Sequence, residues 1–467
     1  MSDLPVTPKR RPVLDPAFLP AALWTRAYRD LAAATPGSRP LAIALQRPDG
    51  CCFVYETRIL PPGSAHDALT RKHVERLVKF LLWQQGGSRI IVGGSPEAAA
   101  MLQAAYAPGG ARAFDHDIVG TKMFLEPMTV ESRPLDRMPA PKAPAISLGR
   151  HLDGCRIGFD LGGSDRKCAA VIDGKVVHSE EVAWDPYFQK DPQYHVAGVR
   201  DSLRRAAAKL PRVDAIGGSA AGVYVNNEPR VASLFRGVAP ADFDRVIRPM
   251  FLGLQQEWGG VPFEVVNDGE VTALAGSMSM NDNAVLGISM GTSQAAGYVD
   301  GAGHITVWLN ELAFVPIDYR DDAPADEWSG DIGCGVQYFS QQGVARLAPL
   351  AGFAFPAGMK PADQLVEVQR AMAAGDARAR RLYETIGTCF GYAIAHYAGF
   401  YPQLRNLLIL GRVTSGPGGE VILEEAGRVL REEFPPLAES IRLRTPSEQD
   451  KRHGQAIAAA SLPAIGG

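Results

Sequence analysis

The sequence predicts an α/β protein, a two-lobed body that begins near residue 151 and is preceded by a smaller α/β module. Three observations predict it. Short apolar runs such as Arg89-Ile-Ile-Val-Gly-Gly, Asn283-Ala-Val-Leu-Gly-Ile-Ser-Met and Asn406-Leu-Leu-Ile-Leu have the length and composition of buried strands. Between such runs lie segments with apolar residues at helical spacing, among them Leu69, Val74, Leu77, Val78, Leu81 and Leu82. Four strand ends carry polar turns: Asp160 to Ser164, Asn267-Asp268, Gly291-Thr292-Ser293 and Gly411 to Gly416. In α/β sheets the loops beyond the carboxyl ends of strands are where ligands bind.

The 467 residues suffice for two or three domains with sizeable cores. The 48 lysines and arginines nearly balance 51 acids, so no global basic field argues for a nucleic-acid partner. No run is long and apolar enough to cross a bilayer, and Met1-Ser-Asp-Leu-Pro lacks the apolar core of a signal peptide. The six cysteines form no CxxC pair and read as reduced, buried thiols, which points to a cytoplasmic protein without a membrane partner. A homodimer is compatible with this composition, which does not fix the oligomeric state.

Taken in order, residues 1 to about 35 begin polar and Pro-rich and then offer a helix over 20–34. Strands follow at 40–46 and 51–60 around the turn Pro48-Asp49-Gly50, then the helix over 69–82 and a strand at 89–93. Residues 126–150, rich in proline, arginine and alanine, read as a linker. From Arg156 the order hairpin, helix, strand recurs, with the helix at about 195–210 and the strand at 213–219. The module of residues 1–150 is therefore a candidate degenerate copy of a ribonuclease H-like unit with a structural role. The first lobe spans 151–284 and includes a strand that breaks at Asn267-Asp268 before a helix over 271–277. The second lobe spans 285–467, with helices over 336–347, 362–400 and 418–433, a short strand at Ile441-Arg-Leu-Arg, and a last helix over 454–462 that is expected to return to the first lobe.

The chemistry sits at the strand ends. Gly162 and Gly163 remove side chains that would hold a phosphate away from backbone N–H groups. Asp160 beside them would repel that phosphate directly, so its natural role is to hold a hydrated Mg²⁺. Lys167 either reaches a phosphate or is an exposed hairpin lysine. Asp268 is a candidate general base for a hydroxyl attacking phosphorus. The competing role for Asn267-Asp268 is to cap the helix that follows.

These motifs, in this order, resemble the ROK family of sugar kinases and repressors, within the actin/hexokinase/Hsp70 ATPase superfamily. Asp160-Leu-Gly-Gly-Ser164 is similar to the first phosphate motif, and Val266-Asn-Asp-Gly-Glu-Val-Thr-Ala-Leu-Ala-Gly to the stretch whose aspartate is the catalytic base. Met290-Gly-Thr-Ser resembles the second phosphate motif, and Leu410-Gly-Arg-Val-Thr-Ser-Gly the adenosine motif. The resemblance covers residues 151–463 and implies a two-lobed actin-like ATPase (ribonuclease H-like) fold. It implies ATP with Mg²⁺ as cofactor and a phosphate site of Asp160, Gly162, Gly163, Ser164, Lys167, Gly291, Thr292 and Gly411. Asn267 and Glu311 would hold the hydroxyls of a small sugar-like substrate, and Asp268 would take the proton. The family's glutamate–histidine stretch is here Asn310-Glu311-Leu-Ala-Phe314, with phenylalanine for the histidine. Cys334 stands without the cysteine cluster that accompanies that histidine, so no zinc is expected. The implied activity is phosphoryl transfer from a nucleotide (or polyphosphate) to a sugar or polyol hydroxyl. The alternatives are a non-catalytic sugar or nucleotide sensor and an interaction scaffold.

Overall fold

The computed structural model describes residues 4–63, 66–143, 147–445 and 448–466, without the side chains of 448–453. In the N-terminal module, α1 (Ala21–Ala34) precedes the hairpin β1 (Arg39–Gln46) and β2 (Cys52–Ile59). Then come α2 (Asp67–Gln85), β3 (Arg89–Gly93), α3 (Pro96–Ala105), the single turn α4 (Ala113–Asp115) and β4 (Thr129–Arg133). The sheet order is β2-β1-β3-β4, with β3 antiparallel to β1 and β4 parallel to β3. Sequence reading missed β4, taking it as linker, because Thr129-Val-Glu-Ser-Arg is a polar edge strand with one apolar residue.

The first lobe opens with the meander β5 (Cys155–Leu161), β6 (Asp165–Ile172) and β7 (Lys175–Ala183). It continues through α5 (Pro192–Ala207), β8 (Ala215–Ala220), the small hairpin β9 (Val223–Val225) and β10 (Glu228–Val231), the turn α6 (Pro240–Asp242), α7 (Met250–Glu257) and β11 (Phe263–Asn267). The sheet order is β11-β8-β5-β6-β7, with β5, β8 and β11 parallel. Three antiparallel strands precede α5, so β8 re-enters parallel to β5. Only two precede α2, so β3 re-enters antiparallel to β1. The N-terminal module is therefore not a ribonuclease H-like copy, and the suspected repeat extends no further than a shared hairpin-helix-strand order.

Helix α8 (Asp268–Met280) leaves the edge of the first-lobe sheet and packs on the sheet of the second lobe, where Gly297 leaves no room for a Cβ against the backbone of Gly269 and Glu270. That lobe contains β12 (Val285–Met290), β13 (Gln294–Val299), α9 (Gln341–Ala351), α10 (Pro361–Ala373), α11 (Ala377–Ala398), β14 (Asn406–Leu410), α12 (Pro417–Glu433), α13 (Pro435–Ser440) and β15 (Arg442–Arg444), in the sheet order β13-β12-β14-β15. Helix α14 (Glu448–Ala460) crosses back onto β5 and β8. A Cβ on Gly158 would lie 1.8 Å from the Ala456 carbonyl oxygen, and one on Gly217 1.7 Å from that of Ala459, so only glycine admits this helix.

One continuous hydrophobic core joins the N-terminal module to the second lobe. Leu41, Ile43, Val78, Phe80, Trp83 and Ile90 share it with Leu286, Tyr338, Phe390, Ile394 and Tyr397. Into it is set a buried ion network. Asp331, on the loop after Trp328, meets Arg112 Nη1 at 2.7 Å and Arg76 and Lys79 at 3.4 Å each. Lys79 also bonds Asp115 at 2.7 Å, and Glu75 holds Arg112 at 2.5 Å and Arg76 at 2.7 Å. Burial pushes the Asp331 carboxyl up, but Lys79, Arg76 and Arg112 outweigh it and hold it far below the usual carboxylate range. Next to it the Phe314 ring lies tilted against Trp83 with centroids 4.3 Å apart, and the Cys334 thiol points at Asp331 Oδ2 and the Phe314 carbonyl.

Removing the charge of Asp331 leaves its buried cations short of one partner. Asp331→Asn should destabilise the whole protein by roughly 3–5 kcal/mol in denaturant unfolding at neutral pH. Because its folded pKa is depressed, the stabilisation is complete above the unfolded value and fades as pH falls through the acid range. A variant with wild-type stability would remove the network from the account.

Candidate functional site

Strand register builds the first wall of the site. Asp160 pairs with Ser219 across β5 and β8, and Ala220 pairs with both Leu161 and Asn267, so three strand ends lie side by side. Asp160 is buried, and its Oδ1 accepts a hydrogen bond from Ser219 Oγ at 2.6 Å. Its Oδ2 faces Lys167 Nζ at 3.9 Å, and Lys167 also pairs with Asp165 at 3.2 Å. Burial raises the Asp160 pKa, and the Ser219 bond and Lys167 oppose that rise. The Gly162–Ser164 turn is tied down by Gly162 N–H to the Asp165 carbonyl (2.9 Å), Trp184 N–H to that of Ser164 (3.0 Å) and Trp184 Nε1–H to that of Gly162 (2.7 Å). A Cβ on Gly163 would collide with the Tyr187 hydroxyl at 2.2 Å, so this glycine is set by packing as well as by any ligand.

At the end of β11 the two roles weighed for Asn267-Asp268 separate. Asn267 is the cap: its Oδ1 accepts from Gly269 N–H at 2.7 Å and its Nδ2 donates to the Gly222 carbonyl at 2.7 Å. Asp268 is the first helical residue, so its carboxylate is not needed as the cap. Burial, and then the charge of Asp160, raise its pKa to about 6. The N–H groups of Asp268 and Gly269 pull the other way. A carboxyl in this range is largely ionised at neutral pH and is a stronger base than a solvated one.

The second lobe supplies matching turns. Gly291 N–H bonds the Ser293 carbonyl at 2.9 Å in the β12–β13 hairpin, leaving Thr292 at its tip. Ser289 pairs with Leu410, so Gly411, at φ 101°, lies directly against the Met290 backbone. The Gly291-Thr292 turn and the Gly411 loop are thus neighbours at the carboxyl ends of parallel β12 and β14, as Asp160 and Asp268 are at the ends of β5 and β11.

Between the lobes lies a cavity of about 410 Å³. Gly222, Tyr224, Asn227, Glu264 and Asn267 line it from the first lobe, and Glu270, Thr306, Trp308 and Glu311 from the inter-lobe helix and second lobe. Arg47, Phe124 and Lys142 line it from the N-terminal module. Burial, then the neighbouring Asp268 charge, push Glu311 up to about 7. Burial pushes Glu264 up to about 7. Burial likewise takes Glu270 to about 8, opposed by hydrogen bonds from Asn310 Nδ2 (2.6 Å) and Tyr298 N–H (3.1 Å). Asn310 is held in turn by the Tyr401 hydroxyl at 2.7 Å.

Among the residues expected from sequence, Asn267 and Glu311 line the cavity and Asp268 is electrostatically coupled to both Glu311 and Asp160. Asn267 has spent one donor and one acceptor on the cap and on Gly222, which leaves one of each for a ligand. Lys167 is fixed by carboxylates and is not a loose hairpin lysine. The buried Asp160, whose Oδ2 accepts no hydrogen bond among the described residues, lies beside a glycine turn and fits a hydrated divalent cation and a phosphate. Sequence reading missed Ser219, Tyr224, Glu264 and Glu270. Only Glu270 carried a signal, two residues after Asp268 in the same motif. The N-terminal module, expected to have a structural role, also contributes Arg47 and Asp49 to the cavity lining.

No protein-family model matches the chain, and no characterised protein matches it in sequence. Similarity appears in the fold. A ROK hexokinase from Thermus thermophilus superposes with a TM-score of 0.51 at 20% identity, covering 66% of this chain and 98% of that one. A ROK-family transcriptional regulator, a homologue of the E. coli MLC protein, superposes with a TM-score of 0.50 at 18% identity, covering 67% of this chain and 79% of that one. The chain therefore carries, over about two thirds of its length, the two-lobed actin-like fold of the ROK sugar kinases and regulators.

Proposed function

We propose that the protein is a divergent ROK-family phosphotransferase that moves a phosphoryl group from Mg·ATP to a hydroxyl of a sugar or related polyol. The observation that carries this reading is Asp268: Asn267, which lines the cavity, does the capping, and Asp268 beside it has a pKa raised by burial and by the charge of Asp160 and in turn raises that of Glu311. A sensor that only binds has no need of a base there.

Each group has a physical task. The acceptor hydroxyl gives its proton to the Asp268 carboxylate as its oxygen attacks phosphorus. Glu311 and the remaining amide capacity of Asn267 orient acceptor hydroxyls. Gly162, Gly163 and Ser164 from one lobe and Gly291, Thr292 and Gly411 from the other receive the phosphates, with Lys167 adding positive charge. Asp160 would hold the Mg²⁺, which when bound neutralises charge on the transferring group. Closure of the lobes about α8 would exclude water as a competing acceptor. The second reading is a binding-only regulator, favoured by the likeness to a transcriptional regulator and by Phe314 in place of the family histidine.

Zinc has no part in this scheme, because Phe314 and Cys334 sit in an aromatic and ion-pair packing that offers one buried thiol rather than four ligands. Elemental analysis finding one zinc per chain, lost in Cys334→Ser, would contradict that.

Assays of ADP release over a panel of sugars and polyols test the main reading. Asp268→Asn should lower turnover by about 10²–10⁴ while leaving nucleotide affinity nearly unchanged. Wild-type kcat/KM should fall as pH drops below about 6, since the protonated base is inactive, and level off above it. In the same proteins, Asp160→Ala should weaken Mg·ATP binding measured by calorimetry by roughly 1–3 kcal/mol. Turnover of Asp268→Asn within a few-fold of wild type would sink the base, and absence of any turnover in the wild type would favour the regulator.

A further inference from the structure

The inter-lobe cavity is lined by groups of both signs. Glu264, Glu270 and Glu311 line it together with Tyr224. The N-terminal module contributes Arg47, whose guanidinium lies against the Phe124 ring, and the exposed Lys142 and Asp49. Burial raises the carboxyls of Glu264, Glu270 and Glu311, and Asp49 is the carboxylate whose charge acts on Arg47.

Arg47 is half-buried at the cavity wall. Its backbone N–H bonds the Cys51 carbonyl at 2.9 Å, which fixes it in the β1–β2 turn. Its Nη2 donates to the Gln85 carbonyl, and its guanidinium lies 5.5 Å from the centroid of Phe124. Among the described residues no carboxylate forms an ion pair with it, and Asp49 Oδ1 is taken by Cys51 N–H at 2.8 Å. By contrast, Arg112, Arg76 and Lys79 all meet carboxylates. A guanidinium half withdrawn from water and without a carboxylate partner is open to a counter-charge, and a cavity wall is where a ligand can supply it. The exposed Lys142 is the second cation on this wall, and a Cβ on Gly50 would lie 3.5 Å from its Nζ. That glycine has φ 80° and lies in the same β1–β2 turn as Arg47.

We propose that the N-terminal module makes the acceptor site selective for a hydroxylated substrate that also carries an anionic group, a carboxylate or a phosphate ester, held by Arg47 and Lys142 while its hydroxyls face the glutamates. The module is then the third wall of the substrate site. The inference rests on the kinase reading for which hydroxyl reacts, but the anion site stands on its own geometry.

The test uses the full-length protein and three matched probes for each of glucose, mannose and galactose: the neutral hexose, its aldonate and its terminal phosphate ester. Calorimetry reads binding and ADP release reads turnover. In at least one series an anionic probe should bind about 10- to 100-fold more tightly than the neutral hexose, the scale of a charge-assisted hydrogen bond. Whether the aldonate or the phosphate ester gains identifies the anion. Arg47→Gln should erase that preference, Lys142→Gln should reduce it, and Arg47→Lys should retain part of it, which a merely structural arginine would not do. Neutral hexoses binding as well as the anionic probes, a preference untouched in Arg47→Gln, or no binding by any probe would each overturn the proposal. Arg47-dependent binding without ADP release would support the anion site and defeat the kinase reading. Turnover of neutral hexoses that ignores Arg47 would do the reverse.

Discussion

The structure depends on the buried contact between α2 and the loop that carries Asp331. Lys79, Arg76 and Arg112 converge on that carboxylate from the N-terminal module, and Glu75 and Asp115 complete three pairs of opposite charge. Such a network is a weak source of net stability when complete but severe when broken, so it specifies one relative placement of module and lobe. The Asp331 loop is pinned to the module by these ion pairs, and Phe314 packs beside it against Trp83.

That placement has a functional result. The loop from Asn310 to Phe314 is hydrogen-bonded to the end of α2, with Asn310 and Glu311 N–H donating to the carbonyls of Gln84 and Trp83 at 3.0 Å each. Glu311 is therefore positioned by the N-terminal module, and the same module brings Arg47, Phe124 and Lys142 to the cavity. The opening segment ties the other side of the lobe: Arg10 meets Glu425 at 2.9 Å, and Asp15 meets Arg320 and Arg346 at 3.0 Å each. The N-terminal module thus reaches both the Asn310–Phe314 loop and the cavity rim.

The strand ends that make up the candidate site were legible in the sequence because their signals are local. Asp160 and Gly162-Gly163 end one apolar strand, Asn267-Asp268 end another, and Gly291-Thr292 and Gly411 end the strands of the second lobe. An apolar run that stops on such residues reads as a strand feeding a binding turn. The division of labour in Asn267-Asp268 was not legible, since either residue type can cap and only the observed hydrogen bonds assign the cap to Asn267. Ser219 was hidden because its role is set by cross-strand register with Asp160. The module's part was illegible for a stronger reason: Arg47, Phe124 and Lys142 are far apart in sequence and meet Glu311 only through tertiary packing. The expected repeat failed on a count of strands, two before α2 against three before α5, which reverses the direction of the next strand.

The central claim is that the module and the second lobe are one cooperative unit, and native-state hydrogen exchange tests it most directly. Ile90 and Val92 in β3 and Ile386, Phe390 and Ile394 in α11 belong to the same buried core, so their N–H groups report on it. If the claim holds, both segments exchange only through the same opening, with matching free energies and matching response to denaturant. Exchange of β3 through a separate, much less costly opening while α11 stays protected would show an independently unfolding appendage, and would contradict the account.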